Sequence, residues 1–168
     1  NIKKSKEQTS IGTASAIKNA EEKINSRDIF ILNGDTFINT DLRILYKKYI
    51  DLKADILLAV NSVRNTGSYG VVQLDNYGKV ISFDEKIHAK HTLMKLCNAG
   101  LYIFNRIVID LIPKNVFFSL EREFFPRIIK NNQYKIFGTI IENRIFDFGT
   151  PTRYLKIKEE LSSESSLL

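Results

Sequence analysis

Apolar residues fall at helical spacing in some stretches of this chain and in unbroken runs in others. From Gly12 and Thr13 onward, Ile17, Ala20 and Ile24 recur every three or four residues with charged residues opposite, which predicts an amphipathic helix. Asp28 to Asn33 is an apolar run closed by Asn33 and Gly34 and reads as a buried strand. Leu42, Leu45, Tyr46, Tyr49 and Ile50 make a second helical stripe, opened by Thr40 or Asp41 as cap. Asp55 to Val60 is again almost wholly apolar. The order helix, strand, helix, strand argues for a parallel sheet covered on both faces.

After residue 65 the pattern shortens. Tyr69 to Leu74 and Lys79 to Glu85 flank Asp75-Asn76-Tyr77-Gly78 and predict a hairpin. Ala99 to Phe104 is a further strand, and Ile87 to Leu96, with no clear period, reads as a loop. Ser119 caps a helix with Glu121 and Glu123 in its first turn, favourable to the helix dipole, and Pro126 is expected to end or kink it. Strands over Tyr134 to Ile140 and Arg144 to Asp147 precede a last helix, capped by Thr150 and begun by Pro151. Residues 162–168 read as a frayed tail behind a domain spanning 1–161.

Composition narrows the class. With 168 residues, 43% hydrophobic and 26% charged, the chain suits one soluble domain whose core needs no staples. The one cysteine, Cys97, excludes an internal disulfide and reads as a buried thiol. No signal-like segment and no apolar stretch near the roughly 20 residues of a bilayer span is present, so a cytoplasmic protein with no membrane partner is expected. The net charge of +6 is scattered along the chain; without a basic stripe interleaved with aromatics, no nucleic-acid partner is expected. The chain opens on Asn1 and a charged stretch, Lys3 to Glu7, which reads as the continuation of something longer.

Two acids close apolar runs: Asp35 after Phe30-Ile31-Leu32-Asn33-Gly34, and Asp147 in Arg144-Ile145-Phe146-Asp147-Phe148-Gly149-Thr150-Pro151. A carboxylate delivered to the end of a strand lies where α/β proteins bind ligands. If the two strands are neighbours, the pair can share one hard cation, and Mg²⁺ held by one or two carboxylates with substrate phosphates is usual in phosphoryl and nucleotidyl transfer. His88 and His91 lack a Cys or carboxylate to complete a zinc set and read as loop residues.

Seven signatures in order carry a resemblance: Ile11-Gly12-Thr13-Ala14, Asn33-Gly34-Asp35, Tyr69-Gly70-Val71-Val72, Phe83-Asp84-Glu85-Lys86, Asn98-Ala99-Gly100, Ser119-Leu120-Glu121 and Phe146 to Pro151. From about Glu7 to Tyr154 the chain resembles the sugar-1-phosphate nucleotidyltransferases, nearest in look to the heptose-1-phosphate and mannose-1-phosphate guanylyltransferase branch. The resemblance implies an α/β fold with a Rossmann-like mixed, mostly parallel sheet and helices on both faces, its N-terminal part missing. It further implies joining of a sugar 1-phosphate to a nucleoside triphosphate with release of pyrophosphate, the product serving surface polysaccharide.

On the same resemblance Asp35 and Asp147 would hold Mg²⁺, and Lys86 would meet the sugar phosphate beside Glu85, which would accept sugar hydroxyls. Asn98 would read a sugar hydroxyl and Gly100 would let backbone approach the ring. Gly12 and Thr13 would lie near the nucleotide, with the helix N-terminus behind them favouring an anion; Asn33, Gly34 and Gly70 complete the substrate-binding set. The chain departs from the family at Ser10 and Ser15, where Pro and Gly are usual, in the loop between Lys86 and Asn98, and in lacking a Gly-x-Gly cluster. Turnover by this stretch alone is therefore not expected. The alternatives are a non-catalytic sugar-phosphate or nucleotide-binding subunit and a uridylyl- or thymidylyltransferase of the same family; oligomeric state is open.

Overall fold

One long strand organises the molecule. In a computed structural model covering residues 2–7, 9–63, 70–84, 94–142 and 145–165, with side chains as far as Glu159, β6 (Lys95–Asn105) pairs with three others. They are β1 (Asp28–Leu32), β3 (Ile56–Val63) and β4 (Val71–Leu74). Phe104 is opposite both Ile29 of β1 and Ile56 of β3, so these two lie on opposite edges of β6. Cys97 likewise pairs with Asn61 of β3 and Val71 of β4. Strands β1 and β4 therefore follow one another along the same edge, β1 beside Leu101 to Asn105 and β4 beside Cys97. Between them the edge is split at Asn98, Ala99 and Gly100.

Outward from β3 comes β7 (Ile136–Ile140), in parallel; outward from β4 comes β5 (Val80–Asp84), its hairpin partner. The sheet is mixed, as expected. It is not mostly parallel: β3 with β7 is the one parallel pair among the described strands. The reason is β6. Strands β1 and β3 do run the same way, as helix–strand alternation suggested, but antiparallel β6 lies between them.

Both faces are covered. Because successive strand residues point to opposite faces, Ile56, Leu58 and Val60 of β3, with Tyr102 and Phe104 of β6, enter one core. That core is closed by Ala14 of α1 (Thr13–Asn19) and by Phe125 and Ile128 of α3 (Phe125–Asn131). Leu57, Ala59, Leu101 and Ile103 enter the other, under Leu45 and Tyr49 of α2 (Leu42–Asp51). Asp41, not Thr40, caps α2 by accepting the Arg43 N–H.

Three further expectations are revised. Pro126 does not end its helix: a wide turn over Leu120–Phe124, closed by the Phe125 N–H on the Leu120 carbonyl, leads into α3. Pro126 then stands in the first turn of α3, where its missing N–H costs no bond. A small strand, β2 (Thr36–Ile38), which periodicity did not reveal, pairs antiparallel with β8 (Ile145–Asp147) as a separate ribbon. The last helix, α4 (Pro151–Ser165), continues past Ser162, where a frayed tail was expected. No helix among the described residues is long and apolar enough to cross a membrane.

Candidate active site

The split edge of β6 is the centre of the site. Leu58 pairs with Tyr102 but Val60 pairs with Asn98, so β6 spends four residues where β3 uses two and bulges at Ala99 to Leu101. Gly100 takes φ 74 within the bulge, the left-handed region that glycine enters without strain. A β-carbon there would also lie 2.7 Å from Asn33 Nδ2. Glycine is thus required at this position by the Asn33 side chain, which fills the space. The Asn33 N–H donates to the Gly100 carbonyl and the Asn98 N–H to the Gly70 carbonyl, tying the ends of β1 and β4 to either side of the bulge.

Asn33-Gly34-Asp35-Thr36 is a turn closed by Thr36 N–H on the Asn33 carbonyl. It joins two different sheets, β1 entering the turn and β2 leaving it. In the ribbon Thr36 is opposite Asp147, Phe37 opposite Phe146 and Ile38 opposite Ile145, and the Phe148 N–H donates to the Asp35 carbonyl at 2.7 Å. The two acids therefore meet through β2 and β8, not through neighbouring strands of the main sheet. A β-carbon built on Gly149 would lie 2.9 Å from Asp35 Oδ2 and 3.0 Å from Asp147 Oδ1. Both oxygens converge on a space that any larger residue would fill.

Asp147 is further fixed. Its Oδ1 accepts the Gly149 N–H at 2.8 Å, and its Oδ2 pairs with Arg153 Nη1 at 2.6 Å. Arg153 sits in the first turns of α4, whose start is capped by the Thr150 hydroxyl accepting the Arg153 N–H and by the Thr150 carbonyl accepting the Tyr154 N–H.

A cavity of about 160 Å³ brings together Asn33, Asp35, Gly70, Asn98, Gly100 and Asp147, with Thr36, Ala99, Ile145 and Glu121 completing its wall. A wider groove of about 770 Å³ runs from Asp35, Gly34 and Asn33 along β1 to Thr13 and α1. Gly12 lines neither; it packs on Phe118, whose carbonyl takes the N–H groups of Ala14 and Ser15. Those two amides at the start of α1 are engaged within the protein. The Thr13 hydroxyl accepts the Leu120 N–H. Glu85, Lys86, His88, His91, Tyr69 and most of the 87–97 loop lie outside the described residues.

Glu121 and Arg153 were missed as site residues. Glu121 had a sufficient explanation in the dipole of its helix, a role that Glu123 performs by accepting the Ser119 N–H. Arg153 had no signal beyond standing six positions after Asp147, on the face of a capped helix. Cys97 is buried as expected, and burial pushes its thiol up. Tyr102 is pushed up as well, by burial first and then by the charge of Glu121.

The chain belongs to the nucleotidyl transferase family, which matches residues 1–164. It is 33% identical over 156 residues to a D-glycero-α-D-manno-heptose 1-phosphate guanylyltransferase of Aneurinibacillus thermoaerophilus, covering 92% of this chain and 65% of that one. A mannose-1-phosphate guanylyltransferase of Mycobacterium tuberculosis is 32% identical, with 92% and 43% covered. Among solved structures, HddC from Yersinia pseudotuberculosis superposes with a TM-score of 0.77 at 27% identity, covering 92% of this chain and 64% of its own. The same protein complexed with GMP-PN gives 0.76 at 26% identity, with the same coverage. The chain thus spans under two-thirds of the length of each of these relatives.

Proposed function

We propose that this chain serves Mg²⁺-dependent transfer of a nucleotidyl group from a nucleoside triphosphate to a sugar 1-phosphate, giving an NDP-sugar and pyrophosphate. A guanine nucleotide with a heptose or mannose 1-phosphate is the substrate pair favoured by the similar proteins, two of which are named as guanylyltransferases for those sugars. The product would serve surface polysaccharide, made in the cytoplasm. The observation that carries the reading is the convergence of Asp35 and Asp147 on the space above Gly149.

The donor set fits the cation. Two carboxylate oxygens with no His, Cys or further acid joining them among the described residues suit a small hard ion that keeps water and phosphate oxygens as its remaining ligands. Asp35 Oδ2 and Asp147 Oδ1 would hold it, and the Arg153 guanidinium occupies the other Asp147 oxygen and fixes the carboxylate's orientation. When bound, the ion supplies charge neutralisation at the α-phosphate.

The protein needs no general base, because the attacking sugar-phosphate oxygen is already ionised at neutral pH. A new bond forms between that oxygen and the α-phosphorus, while the bond to the bridging oxygen breaks and pyrophosphate leaves with the electron pair. Positioning is the main task, and in-line geometry is where fixed walls help most. The turn at Asn33 to Thr36 and the bulge at Asn98 to Gly100 are tied together by backbone hydrogen bonds, so the phosphate end and the opposite wall of the cavity keep their spacing.

A thermal-shift panel tests this. GTP with mannose 1-phosphate is expected to raise the melting temperature only in the presence of Mg²⁺, and Asp35→Asn is expected to remove the Mg²⁺-dependent part. Stabilisation by nucleotide and Mg²⁺ that survives Asp35→Asn would overturn the assignment.

A further inference from the structure

Asn98 was expected to read a sugar hydroxyl through its amide, but the geometry leaves that amide little to offer. Its Nδ2 donates to Tyr102 Oη at 2.6 Å and to Glu121 Oε1 at 2.8 Å, while its Oδ1 accepts the Gly100 N–H at 3.1 Å. A carboxamide has two N–H hydrogens, and both are engaged within the protein. The side chain is buried, with 7% of the residue exposed. Its orientation is also fixed: turning the amide over would set its oxygen against the Glu121 carboxylate and its N–H₂ against the Gly100 N–H. What Asn98 does with this bonding is hold Glu121 at the wall of the cavity.

Resting on the function proposed above, we infer that Glu121 is the group that reads hydroxyls of the sugar, and that Asn98 is the positioning residue that aims it. Among the described residues three carboxylates line the cavity, Asp35, Asp147 and Glu121. Glu121 does not join the other two as a metal-binding group. An ionised carboxylate only accepts hydrogen bonds and repels phosphate, so the part of a sugar phosphate it can recognise is its neutral O–H groups. The bulge at Gly100 and the bond to Asn98 hold that half-buried acceptor in place, and an acceptor fixed in a site discriminates against a ligand that lacks the matching hydroxyl.

Calorimetric titration of this chain tests the assignment with glucose, mannose and galactose 1-phosphates, GTP with Mg²⁺, and the monodeoxy analogues of whichever sugar phosphate binds tightest. Glu121→Gln, which keeps the shape and a hydrogen-bond oxygen, is expected to weaken that sugar phosphate tenfold to a hundredfold and GTP less than twofold. Asn98→Ala is expected to give a similar loss, and the double variant no more than either alone, since one interaction is being removed. One monodeoxy analogue is expected to bind worse than its parent to wild type and equally to Glu121→Gln. Melting temperature reports folding; if Asn98→Ala does not fold, the Glu121→Gln and deoxy comparison decides by itself. Equal affinity of wild type and Glu121→Gln for the sugar phosphate, an equal loss for GTP, or no binding of any of the three sugar phosphates would overturn the inference. Asp35→Asn separates the two readings: loss of its Mg²⁺-dependent GTP binding with an unaffected Glu121→Gln leaves the function standing and removes this inference alone.

Discussion

The main sheet and the β2–β8 ribbon share one cavity but are built to different standards. Against the sheet, Phe125 of α3 is fully buried and its ring lies 5.0 Å from Phe83, 5.4 Å from Tyr102 and 5.7 Å from Phe124. In the ribbon, each strand has three residues, and Phe37 is 54% exposed although it meets Phe146 at 6.0 Å. An isolated two-stranded ribbon is marginal in water; this one is held by Ile38 and Ile145, which pack on the second core. The difference teaches where stability and chemistry reside. The sheet supplies Asn98, which holds Glu121 of the adjoining helical turn at the cavity wall, and the ribbon brings together Asp35 and Asp147, the two described cavity acids farthest apart in the chain.

The comparison is broken most severely by emptying the core. Phe125→Ala is expected to cost about 3–5 kcal/mol, as for buried aromatic truncations generally, whereas Phe37→Ala in the ribbon is expected to stay within about 0.5 kcal/mol, as for surface changes. Urea unfolding curves of the two variants measure both; similar losses would mean that the ribbon is part of the global fold and not a local addition. Gly100→Ala comes next. Forcing an L side chain to φ 74 costs about 1–2 kcal/mol, and its β-carbon meets Asn33 at 2.7 Å. The variant is expected to lose stability in the same urea assay and to weaken sugar-phosphate binding, because Asn33 and the bulge move together.

The smallest effect is on pH dependence. Burial, then the hydrogen bond to Asp28, pushes Tyr49 above its ordinary value of 10.0, and burial pushes Tyr102 the same way. A raised folded-state value means the unfolded chain ionises first, so the stabilisation is complete below about pH 10 and is lost as pH rises beyond it. The melting temperature is expected to fall more steeply above pH 10 in wild type than in Tyr49→Phe. Parallel profiles would show that Tyr49 carries no part of the alkaline loss.

Much of the fold was legible because Ile56 to Val60 of β3 are apolar on both alternations and are covered on both faces, and because α2 and α4 carry their caps in sequence; β1 shares the apolar pattern and was expected to be buried, yet its Phe30 and Leu32 stay exposed. Strand direction was not legible. Nothing in the periodicity of Ala99 to Phe104 says that β6 inserts between β1 and β3, and a strand of three residues such as β2 is too short to show a period at all. Asp35 and Asp147 could be picked out by a glycine within two positions of each, yet the device that joins them is β2. The role of Asn98 was hidden for a different reason: an amide offers the same atoms to a ligand or to a neighbour, and only the positions of Tyr102, Glu121 and Gly100 decide between them.

In the proposed function one divalent cation is clasped by Asp35, at the entrance to β2, and Asp147, at the end of β8. Substoichiometric Mn²⁺ added with GTP to isotope-labelled protein reports it through paramagnetic broadening. The amides of Thr36, Phe148 and Gly149 are expected to broaden first and together, and Asp147→Asn is expected to abolish the effect at all three. Broadening confined to one side of the ribbon, or centred elsewhere in the molecule, would contradict it.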